Sequence, residues 1–248
     1  MGTSPLYGWV NKRSSLPKRF RCYVEGDLAR DNVADEWSVS VALDEEVPLH
    51  AIADAKWQSL AETRRATNTY LQSASTLING LWGGALDSEE RQLILDELGE
   101  PPEYCLPIYL VSVGSGDEER IVYVGKTRSS KRFANGHRVG LKLHHPGFER
   151  LNKKVYRCSV LLHIHYEYVA LEWIDPEQLA ERILDSVESV LIYALQPELN
   201  VNKRKKPTVS TPVSIHVQNF VGGYLLNNLM LWHKNDEPLS FCPADKGK

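Results

Sequence analysis

The sequence predicts an α+β fold: a small, mainly antiparallel β-sheet of about three strands flanked by helices, with an N-terminal α/β extension. Two observations predict it. Between residues 106 and 166, runs rich in β-branched and aromatic residues follow one another, separated by turn residues or a short helical stretch. On either side, over 51–81 and 179–194, the apolar residues change to helical spacing. With 248 residues, 42% of them hydrophobic, the chain can bury a substantial core.

The first ten residues contain Ser, Pro and Gly and read as an irregular lead-in. "RFRCYVEG" (19–26) and "EWSVSVAL" (36–43) alternate as strands do. From residue 51 to 81, Trp57, Leu60, Tyr70, Leu71, Leu77 and Ile78 lie among good helix formers. Trp57, Tyr70 and Trp82 read as core anchors. Gly83 and Gly84 break that helix, and Asp87 with Glu90 three residues on caps a second one over 88–98. "GEPPE" (99–103) stops it and marks a boundary. "LPIYLVSV" (106–113), the turn "GSGDEER" and "IVYVG" (121–125) form a hairpin. A short helix is expected within 130–143 and a third strand over 154–166. Asp175-Pro176-Glu177-Gln178 combines a cap residue, a first-position proline and a capping-box Gln ahead of a long helix that Pro197 ends. "PVSIHVQNF" (212–220) is a further strand. The expected divisions are 1–104, 105–206 and 207–248.

The net charge of −3 gives no overall signal for a polyanion, but its distribution does. Residues 1–119 hold 10 Lys/Arg against 20 Asp/Glu; residues 120–157 hold eleven basic residues against the single acid Glu149. Lys203-Arg204-Lys205-Lys206 is a second basic run. Charge alone leaves two readings open, a polyanion-binding face and a solvated loop beside an acidic neighbour. The four cysteines are scattered with no C-x-x-C pair, which argues against a zinc ribbon or a disulfide framework. His144-His145 and His163/His165 match no strong zinc spacing. No apolar run approaches a membrane span and no secretory leader is visible, so a cytoplasmic setting without a membrane partner is expected.

Within the hairpin, Tyr109 and Tyr123 have the same parity; if odd residues pair with odd, both project from one face. Taken singly, each reads as a packing residue. Their order in a larger set changes that reading. "PIY" (107–109), "YVG" (123–125), Lys126, Arg132, His137, a helix bearing Glu188, Pro197 and Asn200 follow one another over residues 106–203. This set resembles the GIY-YIG nuclease superfamily, and the layout is closest to its type II restriction endonucleases. Pro107 stands where the family has its first glycine, and the hairpin loop is longer than in the shortest members. Arg132 comes early after the second motif, so Arg132 and its neighbour Lys131 both fit the clamp position.

The resemblance implies a metal-dependent DNA endonuclease. Glu188 would bind one Mg²⁺ or Mn²⁺ per active site, since a single carboxylate with waters and phosphate suits a hard cation. Tyr109 is implied as the general base and Tyr123 as the group positioning water or phosphate. His137 would relay a proton or touch phosphate. A free phenol titrates near ~10, so the surrounding cations must favour phenolate for it to act as a base. Lys126, Arg128, Lys131, Arg132, Arg138, Lys203 and Arg204 are the expected phosphate contacts, with Asn200 beside them as an orienting group. The implied partner is double-stranded DNA, met by a homodimer or higher oligomer. A structure-specific repair or phage-defence nuclease, and an inactive DNA- or protein-binding module on the same fold, are the alternatives.

Overall fold

The computed structural model describes residues 5–11, 15–16, 36–55, 58–79, 85–103, 105–129, 138–164, 167–222, 225–226 and 228–232. It is a mixed α+β arrangement around one sheet. In chain order the elements are α1 (Pro5–Asn11), β1 (Trp37–Pro48), α2 (Leu60–Leu77), α3 (Ser88–Leu98), β2 (Ile108–Val113), β3 (Arg120–Lys126), α4 (Arg138–Lys142), β4 (Lys153–Ile164), β5 (Glu167–Ala170), α5 (Glu177–Leu195), β6 (Val213–Asn219) and β7 (Leu229–Trp232), with short 3₁₀ turns between them.

Among the described residues the sheet has seven strands, in the order β3-β2-β4-β1-β6-β7, and β5 pairs with the far end of β4. It is therefore much larger than the three strands expected. β1, from the N-terminal extension, lies between β4 and β6, antiparallel to the first and parallel to the second. Both extensions are thus built into the sheet of the central segment. β1 is covered on both faces, and Val39, Ser40, Val41, Ala42 and Leu43 are all buried. Asp44 forms a bulge in it, its carboxylate accepting the N–H and hydroxyl of Ser159 at 3.2 and 2.5 Å.

One face carries the main core. Ile108, Leu110, Val124, Tyr156 and Cys158 meet Leu179, Ile183, Val187 and Val190 of α5, and the same core continues through Leu6 and Trp9 of α1, Leu71 of α2 and Ile94 of α3. The lead-in is therefore helical at Pro5–Asn11, because three apolar side chains there find a core to enter. The opposite face carries a thinner layer: Ile52, Tyr109, Val111, Val113, Val139, Leu143, Phe148 and Val155.

Three helix starts compare instructively. α3 begins with the expected reciprocal box between Asp87 and Glu90. α2 begins nine residues later than expected, after a 3₁₀ turn at Leu49–Asp54, because Ser59 and Glu62 form a capping box of their own. At α5 the expected Asp175 cap is absent: Pro176, after a cis peptide bond, precedes the helix without a side-chain cap bond. The Asp175 carboxylate is instead held by Arg64 of α2, a partner no local pattern announces. The 19–26 strand, Trp57 and Trp82 lie outside the described residues; Tyr70 is buried, donating its hydroxyl to the Gly99 carbonyl at 2.9 Å.

Candidate active site

The β2–β3 register pairs Ile108 with Lys126, Tyr109 with Gly125 and Val111 with Tyr123. Odd residues pair with odd, so Tyr109 and Tyr123 project from the thin-layer face as diagonal neighbours. Their ring centroids are 5.9 Å apart and the planes are tilted by 32°. Gly125 makes this possible. A Cβ there would lie 2.6 Å from Cζ and Oη of Tyr109 and 2.7 Å from Cε1 of Tyr123. The Tyr109 ring end therefore lies directly over the glycine backbone. Tyr109 is fully buried and Tyr123 half-buried, so Tyr123 is the side through which the pair meets solvent. Pro107 stands just before β2, where its missing N–H breaks no ladder bond, and its carbonyl accepts the N–H of Thr127 at 2.7 Å.

β3 is the edge of the sheet, and residues 199–200 close its outer side. The Leu199 N–H donates to the Val122 carbonyl at 2.9 Å. The buried Asn200 amide accepts the Val124 N–H and donates to the Val124 carbonyl, each at 2.9 Å. Both ends of the amide are engaged there, so Asn200 is an edge clamp rather than a phosphate ligand. What the amide orients here is the backbone of the edge strand.

α5 packs against β3 from the other face, and its acids meet cations of the motif. Lys126 is bound to Asp185 and lies 3.6 Å from Glu181. With its side chain only 11% exposed, Lys126 ties the helix to the strand and offers no open charge to a phosphate. Glu188 follows on the next turn, its Oε2 accepting from Lys203 Nζ at 2.7 Å. Lys203 thus faces the carboxylate expected to hold metal, and its backbone is left-handed at φ 67°.

Arg128 is exposed just beyond β3. Arg204 accepts from Gln196 Nε2 at its backbone carbonyl, and its own Nε is buried with no acceptor among the described residues. Lys131, Arg132 and His137 lie outside the described residues; of Arg138 only the backbone, opening α4, is described.

The charge segregation of the sequence is partly undone by folding. Arg120 meets Glu198, Lys154 meets Glu46 and Glu119, and Arg157 meets Glu45. Acids of β1 and α5, together with Glu119 and Glu198, thus neutralise cations that lie close together along the chain. One such residue deserves a place in the site: Arg157 pairs directly with Tyr109 across β2–β4, giving the row Gly125, Tyr109, Arg157, Glu45 over four strands. Nothing in the sequence placed it there, since β4 was recognisable but its register against β2 was not.

A second polar cluster lies on the main-core side. Glu172 is buried beside a cavity of about 240 Å³ that Arg64, Asn68, Trp173 and Asp175 also line. Burial pushes its carboxyl up to about 7, although the Cys105 N–H donates to it at 3.5 Å.

Among the described residues no group of three or more His, Cys, Asp or Glu side chains could hold a metal ion. Glu188, the residue expected to hold a divalent cation, offers one carboxylate there, with the Lys203 ammonium 2.7 Å from its Oε2. No helix of the described residues is long and apolar enough to cross a membrane. Comparison with protein-family models, with curated proteins and with solved structures returns no match.

Proposed function

We propose that the chain is a metal-dependent DNA endonuclease with a GIY-YIG-type site, acting as a site-specific restriction enzyme. The observation that carries this reading is the edge-strand geometry. Two tyrosines lie ring against ring over Gly125 on one face of β3. From the other face, α5 brings Glu188 to the segment that closes the same edge. Separate packing roles for the tyrosines would not require a glycine beneath both rings.

In this reading Tyr109, as phenolate, takes a proton from water; the water oxygen bonds phosphorus and the ester oxygen departs. Tyr123, next to it and nearer solvent, orients the water or the phosphate. The basic segment after Gly125, with Arg132 or Lys131 as clamp and His137 beside it, favours phenolate and holds the non-bridging oxygens. Glu188 would hold one Mg²⁺ or Mn²⁺, which when bound polarises the phosphate and stabilises the departing oxygen. Arg128 and Arg204 are the outlying phosphate contacts. A homodimer would match a palindromic site.

The test is plasmid cleavage in Mg²⁺ or in EDTA by the wild type and by Glu188→Ala. Discrete, Mg²⁺-dependent bands lost in the variant are expected. Smearing, or cutting of branched DNA alone, would move the role to defence or repair. Identical behaviour of the two proteins removes the nuclease reading and leaves a binding module.

A further inference from the structure

The contact between Lys203 and Glu188 has no place in the chemistry above, and it sits on the residue that chemistry most needs. The pair is well sheltered: the side chains are 25% and 14% exposed, with Nζ 2.7 Å from Oε2. A lysine beside a helix acid is unremarkable on an exposed face. This one is held differently. Residue 203 adopts the left-handed backbone conformation that lysine rarely takes. The loop around it is pinned at several points. Asn200 is bonded to Val124, Gln196 Nε2 reaches the Arg204 carbonyl at 2.8 Å, and the Thr208 N–H donates to Ser189 Oγ at 2.6 Å.

The backbone therefore fixes where the lysine stem leaves the loop, and its rotatable side chain is what can move. Lys126 provides the contrast. It grips Asp185 and Glu181 from a strand, more deeply buried, and those two acids have no role in the proposed chemistry.

We propose that Lys203 is the resident counter-cation of Glu188, giving up the carboxylate when a divalent ion binds there and moving to a substrate phosphate. This rests on the reading of Glu188 as the metal ligand. An ammonium and a divalent ion compete for the one carboxylate, because their like charges repel across it. Metal loading is thereby coupled to the appearance of one further cation for DNA. Before loading, Glu188 is kept from standing as an uncompensated, half-sheltered charge.

The experiment measures Mn²⁺ binding to the DNA-free protein by electron paramagnetic resonance, for the wild type, Lys203→Gly, Lys203→Arg and Glu188→Gln. Glycine suits the left-handed position, so Lys203→Gly removes the charge without new backbone strain. Its Mn²⁺ affinity is expected to rise roughly three- to tenfold, the worth of one partly sheltered ion pair. Lys203→Arg should stay near wild type. A second measurement follows the salt dependence of binding to a short duplex, with and without Ca²⁺. Ca²⁺ should steepen the wild-type slope by about one phosphate contact and leave that of Lys203→Gly unchanged. Unaltered or weaker Mn²⁺ binding in Lys203→Gly overturns the competition, and an equal Ca²⁺ increment in both proteins overturns the transfer to phosphate. If Glu188→Gln binds Mn²⁺ as the wild type does, the metal-ligand reading itself fails, and the proposal falls with it.

Discussion

On one face of the β2–β3 hairpin, Ile108, Leu110 and Val124 press into the apolar stripe of α5; on the other, Tyr109, Gly125 and Tyr123 stack under a thin cover of short elements. The residues alternate along the same two strands, so each face is one side of a single pleat. The first face is continuous with α1, α2, α3 and α5, and losses there are paid in stability. The second sets the row Gly125, Tyr109 and Arg157 against a smaller apolar layer, and in the proposed reading losses there should appear in chemistry. Strand alternation lets one hairpin present a core-facing side and a candidate site on opposite faces, with neither constraining the other's side chains.

This contrast can be broken by substitution. Tyr109→Phe should lower DNA cleavage by about 10²–10⁴-fold, the usual worth of a general base, while thermal unfolding shifts little. A melting temperature that falls in step with activity would make the tyrosine a packing residue. Leu110→Ala, one residue along and facing α5, should do the reverse. It should cost about 2–5 kcal/mol in urea unfolding and leave the rate of the folded fraction near wild type. Gly125→Ala tests whether the faces are independent, because its Cβ meets both rings. About 1–3 kcal/mol of overpacking is expected, together with loss of most activity. Retained activity would show that the rings can move apart without consequence.

The smallest expected effect lies on the core side and depends on pH. The Glu172 carboxyl is held at about 7 in the folded protein against an ordinary value of 4.5. The folded state therefore binds this proton more tightly than the unfolded one. The group's contribution is fully present below about pH 4.5, falls as pH rises toward 7 and is lost above it, about 3 kcal/mol in all. Glu172→Gln should consequently be more stable than wild type by about 1–3 kcal/mol at pH 8 and nearly equal to it near pH 5. A pH-independent difference between the two would contradict this assignment.

What the sequence could reveal was whatever local spacing encodes. The parity of Tyr109 and Tyr123 allowed a shared face if odd residues paired with odd, Asp87 with Glu90 predicted a helix start, and the β2–β3 hairpin stands where turn residues placed it. Interactions between distant segments were hidden. Lys126 finds Asp185 59 positions further on, and Asn200 finds Val124 across 76. Asp175, a plausible cap by every neighbouring residue, is bound by Arg64 from another helix. "WSVSVAL" alternates like a strand with one wet face, yet both faces are covered, because nothing in its spacing says that β4 and β6 will flank it. The candidate site was legible as a set of residue types; which of its cations are already engaged was not.

That flanking strand pair also sets an order of events. β1 occupies the middle of the sheet, but Val39 pairs with Leu162 on one side and Ile215 on the other. During synthesis its apolar residues leave the ribosome long before either neighbour exists. The hairpin, by contrast, can close as soon as its own turn has emerged. Long-range pairing of this kind slows folding and prolongs the exposure of unpaired strand edges. The yield of active protein should therefore depend on how well β1 is shielded while the chain grows, and lower temperature or a holding chaperone during expression should raise it.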